Sequence, residues 1–255
     1  MPLKNSAGRK IRWEDYTWVE LDGIENKDRL KLLLPVGATE EHGAHLRLGA
    51  DSFQATRLAE LAAGRTRDVI VLPALDYGHC LDTLNFCGTL HLSAATITGL
   101  VGDVAESLYR HGFRKLVIVN GHGGNKGVLD TAVREALLKL SGPGRVFIDD
   151  FAVYVFSPYD KAAGVIRGLV EGQDYGHACE IETSVMLALD PEAVDLALAA
   201  EEYMDGDEDT LWRIRDMKKA APGGVHGAPN LANAEKGKKI LDAILAGFVE
   251  FLEKI

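Results

Sequence analysis

Short apolar runs alternate along this chain with stretches of helical periodicity. Leu32-Leu33-Leu34-Pro35-Val36, Val69–Leu72, Leu116–Val119 and Val146–Ile148 are continuous and rich in branched residues. Runs of that kind predict strands buried on both faces. Ser93 stands where it caps a helix with apolar positions Ile97, Leu100, Val101, Val104 and Leu108, and His111-Gly112 gives its stop. A second helical pattern carries Leu129, Val133, Leu137 and Leu140 and ends before Ser141-Gly142-Pro143-Gly144. A third carries Ile240, Ile244, Phe248 and Leu252. Strands alternating with helices predict an α/β fold of three layers, α/β/α, with a mostly parallel central sheet. No linker, repeat or low-complexity segment divides residues 1–255, so a single domain is expected. The acidic stretch Glu201–Asp209 reads as a solvated turn or helix end.

Ligands of open parallel sheets bind beyond the carboxyl ends of the strands, and the polar motifs lie there. After the first strand come Glu40, Glu41, His42, His45 and Asp51 within twelve positions. Buried carboxylates and imidazoles this close are costly unless something pairs them, and a divalent metal accepts both. Glu40 and His42, two apart in an extended segment, project to the same side. Asp51 has two oxygens with which to bridge two ions. After the third strand, Asn120-Gly121-His122-Gly123-Gly124-Asn125 offers one coordinating side chain, His122. Glycines there also suit a phosphate loop, although the Lys-Ser/Thr of such loops is missing. A third segment, Gly176-His177-Ala178-Cys179-Glu180-Ile181-Glu182-Thr183-Ser184, opens a helix, where one glutamate has a role against the helix dipole but His177 has none.

Composition narrows the function. The net charge of −10 disfavours nucleic acid and anionic membrane surfaces as partners. Cys80, Cys87 and Cys179 form no CxxC spacing, which points to a reducing cytoplasm rather than a disulfide framework. A signal peptide and a run long enough to span a membrane are both missing from the pattern.

Taken in order, these motifs resemble the creatininase family of metal-dependent amidohydrolases. The resemblance runs from about Leu32 to Lys239. It rests on Pro-Val-Gly-Ala-Thr-Glu-Glu-His-Gly-Ala-His-Leu, Asp51, Cys87-Gly88-Thr89-Leu90, Asn-Gly-His-Gly-Gly-Asn, His-Ala-Cys-Glu-Ile-Glu-Thr-Ser and Ala234-Glu235-Lys236-Gly237. It implies a site for two divalent ions, zinc, manganese or iron. Glu40, Asp51 and His122 would hold one. His42, the bridging Asp51 and a further glutamate would hold the other. In creatininase that glutamate lies two residues after the loop histidine, where this chain has Gly124; Glu180 is the expected replacement. His177 matches a histidine near the leaving group, and Glu182 a glutamate that orients it. Paired ions lower the pKa of water and polarise a carbonyl, and His177 would carry the proton to the leaving nitrogen. His45 is open to two readings, a support for a ligand carboxylate or a catalytic group.

Departures bear on the substrate, a small molecule. Relatives often show Gly-x-Ser-x-Glu-His before Phe-Pro-Gly-Thr. Here Cys80 replaces the serine, Asp82-Thr83 replaces Glu-His, and Cys87 replaces the proline. Cys80 reads as a nucleophile or as a small buried hydrophobe, the second being the commoner fate. Creatininase uses pocket tryptophans, whereas Trp13, Trp18 and Trp212 fall outside the matching segments. The expectation is hydrolysis of a carbon–nitrogen amide bond in a cyclic amide or formamide other than creatinine. The alternatives are carbon–carbon hydrolysis of a cyclic keto-inositol, peptide trimming, or a binding protein without turnover. The family implies a homo-oligomer, often a hexamer.

Overall fold

Leu32, Leu34 and Val36 turn to one side of their strand and Leu33 to the other, and both sides are buried. That alternation generates the layers. The computed structural model describes residues 3–142, 148–204 and 216–255. Strands β1 (Lys31–Val36), β2 (Val69–Val71), β3 (Lys115–Asn120) and β4 (Ala152–Phe156) form one parallel sheet in the order β2-β1-β3-β4. The helices are α1 (Trp18–Asp22), α2 (Ala50–Arg65), α3 (Ala94–Arg110), α4 (Lys126–Ser141), α5 (Pro158–Arg167), α6 (Glu180–Leu189), α7 (Met217–Ala220) and α8 (Ala234–Lys254).

Two cores result. Helices α3 and α4 bring Ile97, Val101, Leu129 and Ala132 onto Leu32, Leu34, Leu116 and Ile118. On the other face, α2, α5, α6 and α8 bring Leu58, Ile166, Val185, Ile240 and Phe248 onto Leu33, Val117 and Val119. Phe248 stacks on Phe156 at 4.0 Å between ring centroids. Burying such a ring contributes about 2–3 kcal/mol. Ser93 caps α3, accepting from the Thr96 amide at 3.2 Å. The helix stops at His111-Gly112, with Gly112 at φ +91°.

The strand expected at 146–148 lies mostly outside the described residues. Ile148 is in no strand, and the fourth strand is β4, which the apolar pattern missed. It is an edge strand with Val155 exposed, so its signal is diluted. Helix α2 was also unforeseen. Its buried face is largely alanine together with Asp51, Ser52, Gln54 and Glu60, which shows no apolar stripe. Of the acidic stretch, Glu202 bridges to Gly227, and residues 205–209 lie outside the described residues. Among the described residues no helix is long and apolar enough to cross a membrane.

From β1 the chain moves outward to β2, then crosses back to β3 on the other side of β1. Strand order reverses between β1 and β3, and a crevice opens beyond their carboxyl ends. Val36 and Asn120 are the last paired residues of the two strands. Glu40 and His122 follow them.

Candidate metal centre

The β3 loop closes onto the first turn of α2 because position 121 is glycine. A Cβ there would lie 2.5 Å from the Asp51 carbonyl oxygen. The close approach brings His122 over Asp51, and the β1 loop brings Glu40 beside both. His122 Nδ1 lies 2.9 Å from Glu40 Oε1 and 3.0 Å from Asp51 Oδ2. His122 Nε2 faces the His79 carbonyl at 3.2 Å. When neutral, His122 therefore keeps its proton on Nε2, and Nδ1 presents a lone pair to two carboxylates. His42 is set up in the same way. Its Nδ1 faces the Glu40 carbonyl at 3.2 Å, and its Nε2 lies 3.0 Å from Asp51 Oδ1. Each Asp51 oxygen thus meets a different histidine.

Glu182 completes the second group. One potential ligand atom each from His42, Asp51 and Glu182 all lie within 4.8 Å of one another, and the same holds for Glu40, Cys80 and His122. Glu40 Oε1, Asp51 Oδ2 and Glu182 Oε2 are buried and make no hydrogen bond among the described residues; the nitrogen beside the first two, His122 Nδ1, carries no proton in the neutral ring. Buried carboxylate oxygens seldom go unsatisfied. Oxygens left over and nitrogens with lone pairs are the donor set of a hard or borderline divalent cation.

Electrostatics agree with that fit. Burial works against ionisation of Asp51, but His42 and His122 outweigh it and hold the carboxyl far below its ordinary range. Burial opposes charge on His42 too, yet Asp51 pushes its pKa up to about 10. His122 is likewise raised against burial by Asp51, Cys80 and Glu40. Glu182 is pushed up by burial, which His42 and His177 only partly offset. The cluster draws in protons for want of positive charge, and a divalent cation supplies that charge without them. A phosphate group would meet these carboxylates, so the phosphate-loop reading of 120–125 is disfavoured. Asn125 instead ties the loops together, donating to the Gly37 carbonyl at 3.0 Å and accepting from the His79 amide at 2.9 Å.

Glu180 stands apart. It begins α6 fully buried, but its carboxylate is bound by Lys236 Nζ and by the amides of Glu171 and Gly172, the latter at 3.0 Å. The ligand role expected for Glu180 is geometrically open to Glu182 instead. Residues two apart on a helix do not share a face. His177 lies on the rim of the cluster, its ring 4.5 Å from that of His42. Its Nε2 meets the Glu41 carbonyl at 2.8 Å and Glu41 Oε1 at 3.0 Å, which leaves Nδ1 on the Glu40 side at 3.9 Å. The loop from His177 to α6 carries Ala178 in the left-handed region, φ +48°. His45 Nε2 lies 2.9 Å from Thr183 Oγ1, beside Glu182 in sequence. Burial and neighbouring His42 lower its pKa to about 4.

Two contributors escaped the sequence reading. Glu41, buried, holds His177, although alternation in an extended segment points it away from Glu40. Thr83, in the divergent segment, donates to Glu40 Oε2 at 2.6 Å. A cavity of about 550 Å³ opens onto the cluster, lined also by His79, Lys126, Tyr159, Tyr175 and Met204.

This architecture has known relatives. The family model for creatininase (creatinine amidohydrolase) matches residues 14–252. Creatinine amidohydrolase of Pseudomonas putida is 33% identical over 94% of this chain and 95% of its own. The mycofactocin precursor peptide peptidase of Mycolicibacterium smegmatis is 30% identical over 88% of this chain and 84% of its own. The 3-dehydro-scyllo-inosose hydrolase of Thermotoga maritima is 29% identical over 90% and 78%. Among solved structures, a creatininase variant of Zn-Zn type superposes with a TM-score of 0.86, at 31% identity over 96% of this chain and 98% of that one. A manganese creatininase gives 0.82 at the same identity and coverage. The chain belongs to the creatininase family of metal-dependent hydrolases.

Proposed function

We propose that this protein hydrolyses a carbon–nitrogen amide bond of a small polar molecule with the help of two divalent ions. Glu40, Asp51 and His122 would hold one ion, and His42, Asp51 and Glu182 the other. The observation that carries this reading is Asp51, whose Oδ1 and Oδ2 face His42 and His122 at 3.0 Å each. When bound, the ions supply Lewis acidity toward the carbonyl under attack and lower the pKa of water.

The chain's own groups do the rest. Water adds to the carbonyl carbon, the C–N bond breaks, and the departing nitrogen needs a proton. His177 Nδ1 takes up the proton that the attacking water loses and passes it to that nitrogen, while Glu41 engages Nε2 and fixes the ring. Thr83 holds Glu40 through Oε2 and leaves Oε1 for the ion. The cavity admits a metabolite-sized substrate. Its described lining includes Tyr159 and Tyr175.

A second reading has specific support: the Thermotoga relative acts on a keto-inositol and aligns over 90% of this chain. The mycobacterial peptidases point to a third class, peptides. The test is turnover by zinc- or manganese-loaded protein on cyclic amides, formamides, creatinine, a keto-inositol and short peptides. Amide cleavage is the expected result. Cleavage confined to the keto-inositol or to peptides would replace this reading. Tight metal binding with no turnover would favour a binding protein. We also propose a cytoplasmic homo-oligomer, and light scattering in solution tests for a hexamer.

A further inference from the structure

Cys80 is 2% exposed, yet it belongs to none of the hydrophobic clusters among the described residues. Cys179, equally buried, sits in the apolar core. The neighbours of Cys80 are instead the side chains of His122 and Glu40. A thiol buried only for packing has apolar neighbours. The sulfur and one ligand atom from each of Glu40 and His122 lie within 4.8 Å of one another. Ligands of one ion lie no further apart than about twice a metal–ligand bond of about 2.3 Å, and atoms within 4.8 Å of one another are near enough for one ion to draw them together. Independently, Glu40 Oε1 and Asp51 Oδ2, on residues 1% and 3% exposed, lie 2.9 and 3.0 Å from His122 Nδ1 and make no hydrogen bond among the described residues. The residue before Cys80 completes the arrangement, since the His79 carbonyl fixes the tautomer of His122.

We propose that Cys80 Sγ is a further protein ligand of the ion held by Glu40, Asp51 and His122, and that its thiolate makes this site favour zinc over manganese. The inference rests on the two-ion reading above. On binding, the thiol proton is released to solvent and the sulfur takes its place on the ion. Manganese suits oxygen donors, whereas zinc accepts thiolate, so replacing an oxygen donor by sulfur shifts the preference. The other group, His42, Asp51 and Glu182, contains no cysteine among the described residues, so no such preference is expected there.

The test uses cobalt(II), a spectroscopic stand-in for zinc, titrated into metal-stripped protein. The expected result is two cobalt ions per chain and a near-ultraviolet sulfur-to-cobalt charge-transfer band that saturates with one of them. Cys80→Ser should abolish the band while both ions still bind, and Cys179→Ser should keep it. In competition, Cys80→Ser should weaken zinc at that site by about 10–100-fold, the loss typical even of outer partners of a ligand, with manganese little changed. Two bound cobalt ions without the band in wild type would overturn this inference and leave the two-ion reading standing. A band lost in Cys179→Ser instead would overturn it too. No cobalt binding at all would overturn both. The wild-type spectrum decides the matter even where a variant does not fold.

Discussion

Glu180 and Glu182 are two residues apart, and their replacement should have opposite consequences. Glu180 is fully buried against Lys236, itself 5% exposed. Glu180→Ala leaves the Lys236 ammonium with Glu171 at 2.9 Å and the Leu231 carbonyl at 3.1 Å. It also strips the acceptor from the Glu171 and Gly172 amides. Breaking a buried ion pair from one side costs about 3–5 kcal/mol. For a chain of this size that lowers Tm by about 6–20 °C. Glu182→Ala instead removes a carboxylate that burial disfavours and whose Oε2 has no partner among the described residues. Its metal-free stability should fall by less than that of Glu180→Ala, because no buried ion pair is broken, while one of the two proposed ions should be lost. The assay is thermal unfolding of metal-stripped protein, since bound metal adds its own stabilisation, together with metal content well below Tm. Glu180→Ala with unchanged Tm and one ion missing would refute the reasoning.

Three further outcomes follow from the same geometry. His122→Ala should lose metal and activity together, whereas His177→Ala should keep its metal content and lose about 10²–10⁴-fold in kcat; equal metal loss in both would contradict the roles given to them. Gly124→Ala should weaken metal binding with little loss of fold, because a Cβ there would sit 2.5 Å from His122 Nε2 and from the His79 carbonyl oxygen; unchanged affinity by calorimetry would count against the His122–His79 contact. His45 has a folded pKa of about 4, below its unfolded value, so its contribution is complete above about pH 6.5 and is lost as pH falls toward 4. Between pH 7 and 5 the metal-free wild type should lose about 2 kcal/mol more than His45→Asn in urea unfolding. Equal losses would mean that His45 titrates normally.

Much of this could be read from the sequence, for identifiable reasons. Strands β1 and β3 are apolar on both faces, so their runs stand out, and their carboxyl ends point to the site. Edge strand β4 and alanine-faced α2 gave weaker signals, because one is half exposed and the other buries small and polar residues. Glu40, His42 and Asp51 fall in one loop and helix start, and a motif reveals them. Choosing between Glu180 and Glu182 required the position of Lys236, 56 residues beyond Glu180. Glu41 and Thr83 act through contacts with His177 and Glu40 that no local pattern encodes.

The proposed site turns on Asp51, one carboxylate shared by two ions. Elemental analysis of wild type and Asp51→Asn, each purified without chelator and saturated with zinc, tests it most directly. Wild type should hold about two ions per chain, and the variant should lose affinity at both positions. One ion per chain in wild type, or full retention of two in Asp51→Asn, would contradict it.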